Sequence, residues 1–349
     1  MQFSHRLLTW PYAAEAILDV QPAPSGNWAV LAKTGAMAII DEFGVELSSR
    51  ALNLDGLDLS KFVMLRLSRD RRFAAVAEQF GTRGSVTDLT SGKVLMQLTR
   101  SDYQVAHCSF PLAFFDHEGR TLLVHATDWN RLDLSDPLTG ACLSDRPSPQ
   151  YERGRPTPEQ YLDYFHSRLT VSPDQKRIFD NGWIWHPYGI PRTWSLDAWA
   201  NGNPWESEDD GSVRQLQTGG RIWDAPMAWI DDNRVVVWGL GEDYEEDNPL
   251  RPGVRIFDVI SGEEQFTIEG VQIEPHHLWP RNPPQDGWLA FDKWLFAVSP
   301  KTGTTVWDLK TRHCLHRDPE LTPRLYHPST QCFLSLEGVA ARVSSLLLG

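Results

Sequence analysis

Short apolar runs recur along the whole chain, and each run ends in a cluster of turn residues. In residues 62–100, four such runs (FVMLRLS, RFAAVAEQ, GSVTDL and VLMQLT) are separated by breaks at 68–71 (SRDR), 81–84 (GTRG) and 90–93 (TSGK). Runs of this length that are rich in β-branched and apolar residues, bounded by Gly, Ser and Asp, are typical of strands joined by tight turns. This stretch therefore predicts a four-stranded antiparallel sheet.

The same pattern recurs at a spacing of roughly 50 residues, which is close to the length of a propeller blade with loop insertions. An aspartate lies near the end of each third strand: Asp41, Asp88, Asp133, Asp197, Asp258 and Asp308. After six complete units are counted, three predicted strands remain within 322–345 and one remains at Gln2–Thr9. If these four strands form one blade, the ring closes without free sheet edges. We therefore predict an all-β, seven-bladed β-propeller with four-stranded antiparallel blades, the last closed by the N-terminal strand, and a single domain over residues 1–349.

Two short motifs indicate the type of propeller. Ser172, Pro173 and Asp174 precede a second strand, and Trp307 and Asp308 end a third strand. With these marks, the chain resembles a divergent bacterial WD40-type propeller over essentially its whole length. It departs from that pattern because no Gly-His dipeptide begins its blades, so the resemblance does not imply the buried hydrogen-bonded tetrad of WD40 blades. WD40 propellers are generally interaction platforms without catalysis, and the resemblance therefore implies binding.

The predicted loops divide between the two faces of the propeller. Connections between strands one and two, and between three and four, emerge on one face, which we call the short-turn face. Connections between strands two and three, and between blades, emerge on the opposite, long-loop face. The longest segments, 145–165, 201–226, 241–253 and 270–287, are all assigned to the long-loop face. Because long loops in a compact domain are usually functional or disordered, we predict that this face binds a partner, with neutral drift in tolerated loops as the alternative.

Aromatic and acidic side chains are the candidates on that face. Exposed aromatic groups anchor interfaces, although each aromatic residue could instead serve only in packing. Acidic runs attract basic partners, although each run could instead be a solvated loop without a function in binding. We expect the acidic run 206–210 and the acidic blade-five loop to form a negative rim, and a short helix near 158–166. The candidate binding residues are Trp129, Trp185, His186, Tyr188, Trp205, Trp223, Glu242, Asp243, Tyr244, His276 and His277.

The chain carries no recognisable catalytic motif: it has no G-x-S-x-G elbow, no P-loop, no H-E-x-x-H and no dinucleotide fingerprint. Glu274, His276 and His277 share one loop and are ligand types that zinc accepts. Adjacent histidines in a proline-rich loop rarely both bind one ion, so we predict neither a metal nor a cofactor. The first strands look mainly apolar, as in PLAFF and MAWID, whereas enzymatic propellers tend to carry several His, Asp and Glu near the channel mouth.

The amino-acid composition argues against several classes of function. A net charge of -13 argues against broad nucleic-acid binding and against docking on anionic lipid. The first residues contain no apolar core of a signal peptide, and no run reaches the roughly 18 apolar residues of a membrane span. The four cysteines form no C-x-x-C pair. We therefore expect a cytoplasmic protein. The leading hypothesis is a non-enzymatic scaffold that binds a protein or peptide, as a component of a larger complex. The alternative is a propeller hydrolase or lyase with its site at the mouth of the central channel.

Overall fold

Seven antiparallel sheets succeed one another along the chain, and the first strands of neighbouring sheets lie side by side in a propeller ring. The computed structural model describes residues 1–185, 188–209, 211–216, 223–241, 250–273 and 287–347. Each sheet forms one blade. The predicted all-β, seven-bladed propeller is confirmed.

The strands are numbered along the chain, beginning with β1 (Gln2–Thr9), which belongs to blade 7. Blade 1 comprises β2 (Ile17–Ala23), β3 (Asn27–Ala32), β4 (Ala36–Ile40) and β5 (Glu46–Ala51). Blade 2 comprises β6 (Val63–Leu67), β7 (Phe73–Glu78), β8 (Arg83–Asp88) and β9 (Lys93–Thr99). Blade 3 comprises β10 (Leu112–His117), β11 (Arg120–Asp128) and β12 (Arg131–Ser135), and its fourth strand is reduced to a bridge between Ser135 and Cys142.

Blade 4 comprises β13 (Leu169–Val171), β14 (Arg177–Asp180), β17 (Arg192–Ser195) and β18 (Arg214–Gln215), with a hairpin of β15 (Trp183–Ile184) and β16 (Tyr188–Gly189) inserted after β14. Blade 5 comprises β19 (Met227–Trp229), β20 (Arg234–Leu240), β21 (Arg251–Asp258) and β22 (Glu264–Glu269). Blade 6 comprises β23 (Trp288–Phe291), β24 (Leu295–Ser299), β25 (Gly303–Asp308) and β26 (His313–Asp318). Blade 7 comprises β27 (Leu325–His327), β28 (Cys332–Glu337), β29 (Ala340–Leu347) and β1. One short helix, α1 (Leu196–Ala200), and three 3₁₀ turns (Ala14–Ala16, Pro24–Gly26 and Val105–His107) complete the described elements.

The recurring aspartate closes the hairpin between the third and fourth strands. In four blades its carboxylate accepts the backbone N–H two residues further on, at 2.8–2.9 Å: Asp41, Asp88, Asp258 and Asp308. Such side-chain bonds fix a turn without any β-ladder. In blade 3 this role belongs to Asp136, which accepts the Leu138 N–H at 2.8 Å, and not to the predicted Asp133.

The pairing of β1 with β29 closes the ring. The two strands are in register over eight residue pairs, from Gln2 opposite Leu347 to Thr9 opposite Ala340. Leu8 packs against the hydrophobic cluster shared by blades 7 and 1, and the Phe3 ring meets Phe333 edge-on at 5.7 Å. The N-terminal strand therefore completes the last blade, as the surplus of strands predicted.

Blade 4 departs from the predicted loop assignment. Because Arg192 lies opposite Gln215, residues 214–215 form the fourth strand of this blade. Residues 201–226 are therefore not one link between blades 4 and 5, and the long segment 196–213 instead connects strands three and four. The pattern gave no sign of β18 because the strand is only two residues long.

The helix predicted near 158–166 is also wrong. Pro158 and Tyr161 form a single turn, closed by a hydrogen bond of 3.2 Å from the Tyr161 N–H to the Pro158 carbonyl. Gln160 has φ of 62°, in the left-handed region that ends a right-handed helix. Phe165 forms an isolated β-bridge with Trp183. This pairing with another part of the chain outweighs the local sequence preference for a helix start.

The acidic run of the 196–213 connection is buried and paired. Glu206 is 2% exposed and accepts hydrogen bonds from Ser212 and Asn203. Glu208 pairs with Arg146, whose side chain is 1% exposed and whose guanidinium also lies 2.9 Å from Asp133. The expected negative rim is therefore wrong at 206–209, and so is the alternative of a solvated loop, because these carboxylates attach the connection to blade 3. Asp210 lies outside the described residues.

Replacing a residue of β1 tests ring closure. Leu8→Asp places a charge against the core of blades 7 and 1, so we expect the free energy of unfolding to fall by about 2 kcal/mol or more in urea denaturation. Leu7 neighbours it on the same strand but is 68% exposed, so Leu7→Asp should change stability by no more than about 0.5 kcal/mol. Equal effects of the two variants would contradict closure by β1.

Removing the Arg146 guanidinium tests the buried ion cluster. Arg146→Met leaves Asp133 and Glu208 without their shared cation, so the free energy of unfolding at neutral pH should fall by about 3–5 kcal/mol. The control Arg155→Met removes an exposed pair with Glu152 and should change it by at most about 1 kcal/mol. Equal losses in the two variants would contradict a buried cluster.

The same cluster predicts a pH dependence. Burial raises the pKa of Asp133, but hydrogen bonds from Arg131 and Thr127 and the charge of Arg146 outweigh it, and the pKa is lowered. A carboxyl whose pKa is lower in the folded state stabilises the fold above its unfolded value of about 4 and loses this contribution as the pH falls through the folded value. Wild-type stability should therefore decline below about pH 4 in urea denaturation, and the penalty of Arg146→Met should shrink over the same window.

Candidate binding surface

Six aromatic side chains meet on the long-loop face of blades 3 and 4. We call them the aromatic cluster: Tyr103, Trp129, Phe165, Trp183, Trp185 and Trp223. They come from links between blades and from loops between second and third strands. The topology places these two kinds of connection on the same face, so residues distant in sequence converge here.

A buried layer forms the base of the cluster. The Trp183 indole is sandwiched between Phe165, at 4.0 Å and 11°, and Trp223, at 4.7 Å and 21° between ring planes. Trp129 packs on Phe165 at 4.5 Å. The Trp183 indole N–H donates to the Cys108 sulfur at 3.1 Å, so its polar atom is satisfied within the layer. Stacked rings with a bonded indole have little freedom to rotate.

Backbone and side-chain hydrogen bonds hold this layer in place. Phe165 and Trp183 exchange both backbone bonds, at 2.8 and 3.1 Å. The Trp223 indole N–H donates to the His107 carbonyl at 2.6 Å. Behind Phe165, the fully buried His166 ring lies 2.5 Å from an oxygen of Asp180, whose other oxygen accepts the Ser167 N–H at 3.0 Å. The base of the cluster is thus anchored to the first and second strands of blade 4.

Two rings lie exposed above the base. Trp185 is 42% exposed and Tyr103 is 45% exposed. Their centroids are 6.2 Å apart, and both contact Phe165, at 5.2 and 5.8 Å. The cluster therefore offers a partner two large apolar side chains on a support that is already packed.

The structure brings together some of the predicted residues and separates others. Trp129, Trp185 and Trp223 belong to the cluster. Tyr188 lies opposite Ile184 in the inserted hairpin but is only 8% exposed, so its ring contributes to packing. Trp205 lies elsewhere, with its ring 5.4 Å from the Arg146 guanidinium. The remaining candidates lie outside the described residues: His186, Glu242, Asp243, Tyr244, His276 and His277.

Tyr103 and Phe165 were missed by the sequence analysis. Tyr103 lies in the link between blades 2 and 3, and Phe165 immediately precedes blade 4. Both belong to connections that had been assigned to the long-loop face, so scanning every such connection for aromatic residues would have found them.

A cavity of about 580 Å³ opens at the channel mouth on the same face. Its walls come mainly from blades 1, 2, 6 and 7, with Asp19, Arg66 and Arg324 among the lining residues. Asp19 accepts the backbone N–H groups of Val20 and Leu65, each at 2.8 Å, and lies 3.9 Å from Arg66. The expectation of mainly apolar first strands therefore misses these charges, although the dipeptide Arg-Leu recurs at 66, 168 and 324.

Burial shifts the pKa of both Asp19 and Arg66. It raises the pKa of the Asp19 carboxyl, against the opposing charges of Arg66 and Arg324 and the hydrogen bonds from Leu65 and Val20. Burial also lowers the pKa of the Arg66 guanidinium, with the charge of Asp19 opposing this and that of Arg168 adding to it. Asp19 and Arg66 are thus partly desolvated, although their side chains keep 22% and 33% of their surface accessible.

The described residues contain no group of three or more His, Cys, Asp or Glu side chains that could hold a metal ion. Glu274, His276 and His277 lie outside them. Within the same part of the chain, no helix is long and apolar enough to cross a membrane.

No protein-family model matches the chain, and no curated protein matches it. Among solved structures, it is similar to the one titled "Structure of U3-55K", a WD40 protein, with a TM-score of 0.58 over 98% of each chain. The two sequences are 11% identical, so the likeness shows the fold alone. This chain is a seven-bladed β-propeller.

Proposed function

We propose that this protein is a non-enzymatic scaffold that binds a protein or peptide partner on its long-loop face, centred on the aromatic cluster. The observation that carries the proposal is the pair of exposed rings, Trp185 and Tyr103, resting on a stacked and hydrogen-bonded base. Large aromatic side chains in such positions are the commonest anchors of protein interfaces.

The rigid base supports this role energetically. Ordering a side chain on binding costs about 0.5–1.5 kcal/mol, and rings already held by neighbours avoid much of that cost. Aromatic rings also bury a large area for few rotatable bonds, and ring pairs add about 0.5–1.5 kcal/mol beyond burial. A partner that covers Trp185 and Tyr103 therefore gains apolar contact without reorganising the propeller.

The channel mouth favours the scaffold over the alternative of a hydrolase or lyase. Among the described residues that line the cavity there is no histidine, and Asp19 is the one carboxylate on a first strand. Its oxygens already accept two backbone N–H groups. WD40-type propellers, which the chain resembles, are generally interaction platforms, and this supports binding as well.

We extend the proposal to the rest of the long-loop face. Trp129 and Trp223 support the exposed rings, and we keep as candidate binding residues Glu242, Asp243, Tyr244, His276 and His277, which lie outside the described residues and of which Glu242 and Asp243 belong to the predicted acidic rim. Such a rim mainly sets the rate of encounter with a basic partner. We also propose that residues 1–349 act as one cytoplasmic domain within a larger complex.

The test begins with a pull-down from the native host and identification of the captured protein by mass spectrometry. With that partner in hand, Trp185→Ala and Tyr103→Ala should each weaken binding by about 2 kcal/mol or more in calorimetry, if the ring is a hot spot. The controls Arg71→Glu and Lys176→Glu lie in the short turns of the opposite face and should leave the affinity unchanged. A partner insensitive to both ring substitutions, or one lost on the two charge reversals, contradicts this proposal.

A further inference from the structure

We propose that the cavity at the channel mouth is a binding site for a small organic anion, whose carboxylate or phosphate group is held by Arg66 and Arg324. The site is separate from the aromatic cluster, so this inference goes beyond the proposed scaffold function. Its basis is the combination of cavity size, arginines with unused donors and apolar walls.

The two arginines have hydrogen-bonding capacity to spare. Arg66 donates through Nη1 to the Leu65 carbonyl at 2.7 Å, and its distance of 3.9 Å from Asp19 is too long for a hydrogen bond. Arg324 makes no side-chain hydrogen bond or ion pair with the residues that the structure describes; only the longer-range charge of Asp19 balances it. Each guanidinium carries five N–H donors in a planar fork that matches a carboxylate or phosphate.

Asp19 does not satisfy both cations. Its two oxygens are already occupied by the N–H groups of Val20 and Leu65, which join the first strands of blades 1 and 2. The Arg66 side chain keeps 33% of its surface accessible, and that of Asp19 keeps 22%, on the walls of the channel. The carboxylate therefore acts as a structural bridge between strands, and the guanidinium donors remain available to a ligand.

A third arginine approaches from blade 4. Arg168 lies close enough for its charge to act on Arg66, although the two belong to different blades. Gathering like charges where solvation is poor is unfavourable unless an anion compensates them. Of these three arginines, Arg66 and Arg324 line the cavity, and an anion held by them would reduce this repulsion.

The outer rim does not supply that anion. Glu337 is paired with Arg342 at 3.0 Å, so these two charges cancel. Glu320 is exposed, where water solvates it. With Glu337 and Arg342 paired and Glu320 in water, Arg66 and Arg324 are left with one carboxylate, that of Asp19, among the lining residues.

The remaining walls suit an apolar ligand body. Leu18, Met64, Trp288 and Leu325 line the cavity, and the Trp288 indole N–H is fixed on the Pro323 carbonyl at 3.1 Å. Small-molecule sites generally measure about 300–1,000 Å³ and combine apolar walls with a few convergent polar groups. At about 580 Å³ this cavity has both properties, and it favours an organic anion over a bare inorganic ion.

The test is calorimetry of the full chain with phenyl phosphate, benzoate and inorganic phosphate, at constant ionic strength set with sodium chloride. We expect phenyl phosphate or benzoate to bind, and inorganic phosphate to bind more weakly because it leaves the apolar walls uncovered. Arg324→Gln should weaken binding about tenfold or more, since a charge-assisted hydrogen bond is lost, and Arg324→Lys should retain part of the affinity. Arg69→Gln, the same change in a short turn of the opposite face, is the control and should have no effect.

Arg66→Gln leaves Asp19 without a close cation, so this substitution is combined with Asp19→Asn in one variant. Thermal unfolding of each variant is measured to check that it folds. Binding of phenyl phosphate without benzoate assigns a phosphate ligand, the reverse assigns a carboxylate, and both outcomes support the site. No heat from any of the three probes up to about 10 mM, a range in which even weak millimolar binding is measurable, overturns it. An equal loss in Arg69→Gln also overturns it. Trp185→Ala should leave anion binding intact, so failure of the scaffold proposal is distinguishable from failure of this one.

Discussion

Closure of the ring by β1 and β29 is the constraint on which the other features depend. A propeller blade left with three strands presents a free edge and an incompletely covered hydrophobic face. In this chain the covering strand comes from the opposite end of the sequence, so the first and last blades are fixed together by main-chain bonds over eight residue pairs. Because the ring cannot open without breaking that ladder, the relative positions of all first strands around the channel are set.

Among the described residues no β-ladder joins neighbouring blades, and buried side chains help to join them on the long-loop side of the channel. Asp19 does so between blades 1 and 2 through its bond to the Leu65 N–H. Asp224, in the link before blade 5, does so at the other side: its oxygens accept the Arg168 N–H and the Ser109 hydroxyl, each at 3.0 Å. Buried carboxylates that accept such bonds are costly to leave unpaired, so these bridges make the arrangement of the blades specific.

The sequence predicted what repeats and missed what is particular to one blade. Strand alternation and the aspartate at hairpin turns recur, so the fold and its closure could be read from pattern alone. Blade 4 breaks the pattern, because a two-residue strand, β18, carries no periodicity and the acidic run at 206–209 pairs with Arg146 only through tertiary packing. For the same reason Trp205, which directly precedes that run, could not be distinguished from Trp129 and Trp185 by sequence. The acidic loop at 242–247 and the histidines at 276 and 277 lie outside the described residues and stay predictions.

The long-loop face thus combines two kinds of surface with different physics on one rigid support. The aromatic cluster is apolar and projects from blades 3 and 4, and the partner proposed for it would bind by desolvation of the exposed rings, which depends weakly on salt. The channel mouth is concave, and the anion proposed to bind there would be held by hydrogen bonds from Arg66 and Arg324. Arg168 belongs to the same blade that carries Trp183 and Trp185, and its backbone is bonded to Asp224, one residue after Trp223 of the cluster base. Hydrogen bonds therefore join blade 4 to the base of the aromatic cluster, whereas the cavity is lined mainly by blades 1, 2, 6 and 7, so the two surfaces can be tested independently.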